Sequence, residues 1–367
     1  MAPAATAKAP LQIALAGAGM IGRTHQALLA ACPRTQLCAV VDPMPAAQAL
    51  AATWGVPWFE NLDALFANMA GQPQTLDGVI LATPNTLHVS GALTCLAHGV
   101  PVLIEKPVAD TVAEGERLVQ ALAHSPVPML VGHHRRHSAI LQTAAKALAE
   151  GVCGRIVSAM GSAQFYKPNA YFEGGPWRKY TGGGPILINL IHEMDNLRFL
   201  CGEVQAVQAM SSNAVRGFEV EDTAVINLRF ASGALGSFTL SDTAASPRSW
   251  EQTSGENPAY PQHPDQDCYF ITGTHGALAV PTMHTWRYPA PADSAQPDPR
   301  SWFNAFVPGQ LPLQAVDPLV AQLAHFCDVL EGSAAPLVGV EDALQSLRVL
   351  EAVRQSVATG GREVRVG

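Results

Sequence analysis

Between residues 12 and 131 the chain alternates short apolar runs with segments of helical length. Runs 12–16, 37–41, 78–82, 101–104 and 128–131 are rich in Val, Ile and Leu, as strands buried on both faces of a parallel sheet must be. The intervening segments 20–31, 45–53, 62–70, 86–98 and 112–123 carry helical patterns. Parallel neighbours need long crossover connections, and these helices supply them. The alternation predicts a doubly wound parallel α/β sheet over residues 11–133.

Beyond residue 133 the rhythm changes. After a helix at 138–150, strands are expected at 155–165, 204–213, 223–230, 234–241, 268–272 and 277–280, with helices at 185–200, 317–330 and 341–357. Segments 246–266 and 289–312, rich in Pro, Ser, Asp and Gln, read as loops. Residues 134–367 are therefore expected to form a second α/β domain around a large, mostly antiparallel open sheet, with the last helix packing back on the first domain. Residues 1–10 read as a flexible tail.

Composition excludes several classes. With 48% hydrophobic and 14% charged residues the chain is no disordered polymer, and a net charge of −8 argues against a nucleic-acid binder. No apolar run reaches the roughly 18 residues of a membrane span. The seven cysteines form no CxxC pair, so reduced thiols in a cytoplasmic protein are expected, without a metal site.

Gly17-Ala18-Gly19-Met20-Ile21-Gly22 follows the first strand and opens the first helix. In that context the first glycine makes a tight turn, the second lets backbone approach a pyrophosphate, and the third brings helix and strand together. Asp42 ends the second strand, where a carboxylate can accept from both hydroxyls of an adenosine ribose and repel a 2′-phosphate. NAD is expected in preference to NADP; the alternative role for Asp42 is to cap the next turn. Thr83-Pro84-Asn85 and Glu105-Lys106-Pro107 lie beyond the carboxyl ends of two more strands, the edge where such sheets bind ligands. Lys106, beside an oxidised nicotinamide, is expected to have a lowered pKa and to exchange a proton with a substrate hydroxyl. Alone, it would read as a solvated loop lysine.

Together, Gly17–Gly22, Asp42, Thr83-Pro84-Asn85 with His88, Glu105-Lys106-Pro107, Gly132–Arg136, and Gly182-Gly183-Gly184 with His192 and Asp195 resemble the Gfo/Idh/MocA oxidoreductase family along nearly the whole chain. The resemblance implies a Rossmann domain, a second domain whose open sheet joins subunits into a homodimer or homotetramer, and bound NAD(P). It also implies reversible hydride transfer between a secondary alcohol carbon and nicotinamide C4. By it, Glu105 contacts the nicotinamide side of the cofactor, Lys106 is the catalytic lysine, and His192 binds substrate or moves its proton. Many members carry an aspartate one helical turn before this histidine; here Ile188 stands there with Asn189 beside it. Lys106 and His192 must then share the proton work, with Asp195 a candidate to orient His192.

The basic cluster His133–His137 and the Trp177-Arg178-Lys179 segment suggest a substrate site built from Arg135, Arg136, Tyr166, Trp177, Arg178, Asn189 and His192, with a carboxylate on the substrate. The competing reading is that Arg136 and Arg178 are structural, pairing acidic groups between domains. The expected function is an NAD-dependent dehydrogenase of cyclic polyols, sugars, sugar acids or ring cis-dihydrodiols. Two rivals stand beside it: an NAD-dependent glycosidase without net redox change, and a non-catalytic cofactor sensor.

Overall fold

The computed structural model describes residues 9–70, 76–289 and 298–367. Most of the expected tail and part of the expected loop 289–312 lie outside the described residues.

In the first unit, β1 (Leu11–Ala16), α1 (Met20–Ala31), β2 (Thr35–Val41), α2 (Pro45–Trp54), β3 (Trp58–Phe59), α3 (Leu62–Met69), β4 (Gly78–Leu81), α4 (His88–Ala97), β5 (Val102–Ile104), α5 (Val112–Leu122) and β6 (Met129–Val131) follow one another. The six strands are parallel in the order β3-β2-β1-β4-β5-β6. The winding direction reverses between β1 and β4, so the loops after these strands diverge and leave room for a ligand. Ile13, Leu15, Ile80, Leu103 and Leu130 face one core cluster, while Val79, Leu81, Val102, Ile104 and Val131 face another. Each such side chain contributes about 2 kcal/mol through burial. Asn61 and Thr111 cap α3 and α5 by accepting from Ala64 N and Glu114 N. The two-residue β3 escaped the sequence pattern because it is too short to show a period.

The second unit carries α6 (Ala139–Ala149), β7 (Ile156–Gln164), α7 (Asn169–Glu173), α8 (Gly184–Ile188), α9 (Leu190–Cys201), β8 (Val204–Ser212), β9 (Thr223–Phe230), β10 (Leu235–Ser241), α10 (Trp250–Thr253), β11 (Tyr269–Gly273), β12 (Gly276–Val280), β13 (His284–Arg287), β14 (Val307–Gln310) and β15 (Val364–Arg365). Its nine strands run in the order β14-β13-β12-β11-β7-β10-β9-β8-β15, with only β7 and β10 parallel neighbours. On β9, buried Ala224, Ile226, Leu228 and Phe230 alternate with outward Val225, Asn227 and Arg229. The buried face meets α6 and α9 through Leu141, Ala144, Leu190, Met194 and Leu197. The expected single helix 185–200 is broken at Asn189, whose φ of −108° ends α8 and begins α9. The expected loop 246–266 holds α10, capped by Ser249, and β14 forms inside the expected loop 289–312.

The domain boundary needs a correction. The first unit comprises residues up to His134 and Leu319–Leu347; the second comprises Arg135–Pro318 and Arg348–Gly367. Helix α11 (Pro318–Leu330) gives Leu323, Phe326 and Cys327 to the first unit's core, and α12 (Val340–Ala358) adds Ala343, Leu344 and Leu347. A parallel sheet needs cover on both faces, and five crossover helices leave part of one face bare. No local pattern reveals that a distant segment fills it.

Candidate active site

The turn after β1 is shaped by its own backbone. Gly17 has φ +97°, and a Cβ there would lie 2.4 Å from Ala82 O. A Cβ on Gly22 would lie 2.0 Å from Gly17 O, whereas one on Gly19 would meet nothing within 4 Å. Gly17 and Gly22 are thus required by the fold, and Gly19 leaves an open cradle. The start of α1 carries no acidic side chain and no side-chain cap, and Met20 and Ile21 are exposed. Its first N–H groups and the positive end of its dipole suit a pyrophosphate. Asp42 Oδ2 accepts from Ala18 N and Oδ1 from Met44 N, both at 2.8 Å. Each oxygen keeps a further lone pair that could accept from a ribose hydroxyl, so capping does not exclude a cofactor role. These residues fit NAD.

The strand ends of β4 and β5 are tied together by His88. Its ring nitrogens lie 2.9 Å from Thr83 O and 2.7 Å from Pro107 O, and the residue is buried. Burial pushes its pKa down, against the pull of the two carbonyls. The structure places His88 as the clasp beneath the two loops that hold Thr83-Pro84-Asn85 and Lys106. Glu105 is buried and paired with His25 of α1 at 2.7 Å. Burial raises the Glu105 pKa, but the His25 hydrogen bond and the charges of His25, Lys106 and His134 outweigh it, holding the carboxyl below its ordinary value. His25 was not singled out by the sequence; its only signal is a polar residue on the buried stripe of α1.

In the second unit, His192 is nearly buried on α9, and its N–H donates to Asn189 O at 3.2 Å. The expectation that Arg135 and Arg136 bind substrate is corrected here. Arg135 Nη1 meets Glu193 Oε1 at 2.7 Å and Nη2 meets Glu251 Oε1 at 2.5 Å, while Tyr269 donates to Glu193. Arg136 grips Asp195 through Nε at 2.7 Å and Nη2 at 2.9 Å. All these groups are buried or nearly so. The fork that would bind a substrate carboxylate binds protein carboxylates instead. Asp195 therefore serves Arg136, with Arg198 at 3.8 Å.

Tyr166 and Trp177 are exposed, and Arg178 lies over the Tyr171 ring at 4.0 Å while donating to Tyr171 O. A lysine that the sequence reading passed over, Lys167, is buried and donates to Asn189 Oδ1 at 2.6 Å. Like Lys106, it directly follows a strand-end segment, and that is the signal that could have marked it. Among the described residues no helix is long and apolar enough to cross a membrane.

Comparison with known proteins agrees with this architecture. Residues 11–133 match the profile described as oxidoreductase family, NAD-binding Rossmann fold, and residues 141–279 match the GFO/IDH/MocA C-terminal domain. The chain is 30% identical over 305 residues to 1,5-anhydro-D-fructose reductase of Ensifer adhaerens, covering 82% of this chain and 83% of the relative. It is 25% identical over 276 residues to 2,7-anhydro-N-acetylneuraminate hydratase of Mediterraneibacter gnavus, covering 73% and 66% respectively. The WlbA dehydrogenase from Bordetella pertussis, solved with NADH and UDP-GlcNAcA, superposes with a TM-score of 0.74 at 26% identity, covering 98% of this chain and 99% of that one. Open glycine turn, ribose-ready Asp42, paired strand ends and the two profile matches converge: the chain belongs to the Gfo/Idh/MocA oxidoreductase family, with an NAD-binding Rossmann domain.

Proposed function

We propose that the protein is an NAD-dependent dehydrogenase of a secondary alcohol on a ring substrate: a sugar, sugar acid, cyclic polyol or ring cis-dihydrodiol. The observation that carries this reading is the placement of Lys106 at the carboxyl end of β5, after a Glu105 that His25 holds rigid and ionised. NAD, when bound, supplies the hydride acceptor. Lys106 takes the hydroxyl proton, and His192 holds the same oxygen or passes the proton on. The fixed negative charge of Glu105 stabilises positive charge near it, both the Lys106 ammonium and an oxidised nicotinamide.

The hydratase relative favours one competing reading, in which the same site opens an anhydro or glycosidic bond with no net redox change. An NADH-formation and product screen over sugars, sugar acids, inositols and glycosides separates the two. Steady NADH accumulation with a ring alcohol is expected. Sugar release from a glycoside without NADH would establish the rival instead, and no turnover of any kind would overturn both.

The open face of the nine-stranded sheet exposes Met160, Leu235, Val225 and Met210, the last two directly opposite each other on β9 and β8. Large apolar side chains exposed on one sheet face suit an interface. We infer that it pairs with a second copy of the chain. Met160→Arg, at the middle of the face, is expected to yield monomers by sedimentation; a wild-type monomer would remove the inference. The seven free thiols fit the expected cytoplasmic setting.

A further inference from the structure

Lys167 presents an anomaly that the reaction as described leaves unexplained. The residue is only 6% exposed, so its ammonium has lost its water. An ammonium has three N–H donors, and burying one is unfavourable unless they are satisfied. Among the described residues a single acceptor is within hydrogen-bond reach, Asn189 Oδ1 at 2.6 Å. Asp242 Oδ2 stands at 4.0 Å, too far for a hydrogen bond, because Arg216 Nε holds the other oxygen of that carboxylate at 2.7 Å. Two N–H donors of Lys167 therefore have no acceptor among the described residues, and the rings of Phe165 and Tyr171 wall the ammonium at 5.5 and 5.0 Å.

The pairing also fixes Asn189. Lysine can only donate, so the amide must turn its oxygen to Lys167 and its Nδ2H2 the other way, where no hydrogen bond is made among the described residues. Asn189 opens the turn that ends at His192, whose backbone N–H bonds to its carbonyl. Arg178 lies against the same Tyr171 ring as Lys167, and its Nε is buried without an acceptor. The group that would complete this arrangement must accept hydrogen bonds and need not donate any. A carboxylate meets that description and also offsets the charge of the buried ammonium, which a neutral hydroxyl does not.

We propose that Lys167, with Asn189 and Arg178, binds a carboxylate on the substrate, so that the preferred ring alcohols are sugar acids. The assignment moves the anion site from Arg135 and Arg136, which are consumed by Glu193, Glu251 and Asp195, to a lysine. It also gives Asn189 a substrate contact beside Ile188, where aliphatic carbon can make no hydrogen bond. The proposal rests on the dehydrogenase reading for the ring alcohol, but its binding test does not.

The test uses the full chain with saturating NAD, titrated with D-galacturonate and D-glucuronate against D-galactose and D-glucose, with NADH formation followed in parallel. A uronate is expected to bind about 100-fold more tightly than its neutral partner, the size of one buried charge-assisted contact. Lys167→Met is expected to erase that preference by weakening the uronate far more than the neutral sugar. Should that variant fail to fold, Asn189→Asp retains a partner for Lys167 while turning an acceptor outward, and it too should abolish the preference. Burial, opposed by Asp242 and Glu251 and assisted by Arg216 and Arg178, lowers the Lys167 pKa to about 8. Uronate affinity should accordingly fall as pH rises through that value, because the ammonium is the binding form. Equal binding of acid and neutral sugar, or equal weakening of both by the two variants, overturns the proposal. A uronate that binds without NADH formation would sink the dehydrogenase reading and leave the carboxylate site standing. NADH from neutral sugars alone would do the reverse.

Discussion

Lys106→Met should lower kcat by about 10³-fold or more, the range ascribed to a positioned proton-transfer group, while NAD affinity stays largely intact. Methionine keeps the length of the side chain and its packing but cannot exchange a proton. The features proposed to hold the cofactor lie elsewhere: the turn from Gly17 to Gly22, Asp42, and the clasp of His88 on Thr83 O and Pro107 O. Because kcat and cofactor binding are carried by different residues, the variant should separate them, with stopped-flow turnover lost and NAD titration retained. Unchanged turnover would remove Lys106 from the mechanism. Loss of NAD binding together with turnover would instead mark it as a cofactor ligand.

The second large effect concerns the glycine turn, whose three glycines should behave differently. A Cβ on Gly22 would overlap backbone Gly17 O at 2.0 Å, and neither partner is a side chain that can swing away. Gly22→Val should therefore destabilise the first unit by about 4 kcal/mol, near the top of the range for single substitutions, and abolish NAD binding. For a unit of this size that corresponds to a fall in Tm of roughly 10 °C. Gly19→Ala offers the contrast: its Cβ meets nothing, so the Tm without cofactor should hardly move. The added methyl stands in the open cradle, so the stabilisation that NAD confers should shrink sharply. If Gly19→Ala binds NAD as well as the wild type, the pyrophosphate does not lie over that turn.

Much of the first unit was legible from sequence because its signals are local. Five of its six strands and the five helices that connect them lie where the apolar runs and helical segments put them, and the order of those elements nearly dictates a parallel sheet. The glycine turn and Lys106 were legible for the same reason: each is defined by its position at a strand end. His25 was not. Its importance comes from Glu105, which is 80 residues away and bonds to it at 2.7 Å.

The cations of the second unit show the limit most clearly. Arg135, Arg136, Arg178 and Lys167 are chemically similar in the sequence, and three of them were read as one cluster facing one substrate. Arg135 finds its partners 58 and 116 residues away, at Glu193 and Glu251, and Arg136 finds Asp195 at a separation of 59. Lys167 meets Asn189, with no other hydrogen-bond acceptor for its ammonium among the described residues, and is the lysine proposed to bind a ligand. Hydrophobic periodicity follows from backbone geometry and is written residue by residue, so the chain by itself determined its strands, helices and phosphate-ready turn. Which charge is neutralised and which remains available depends on pairing across long separations in a low-dielectric interior. Only the tertiary structure decided that, as it decided that residues 319–347 return to cover the first sheet.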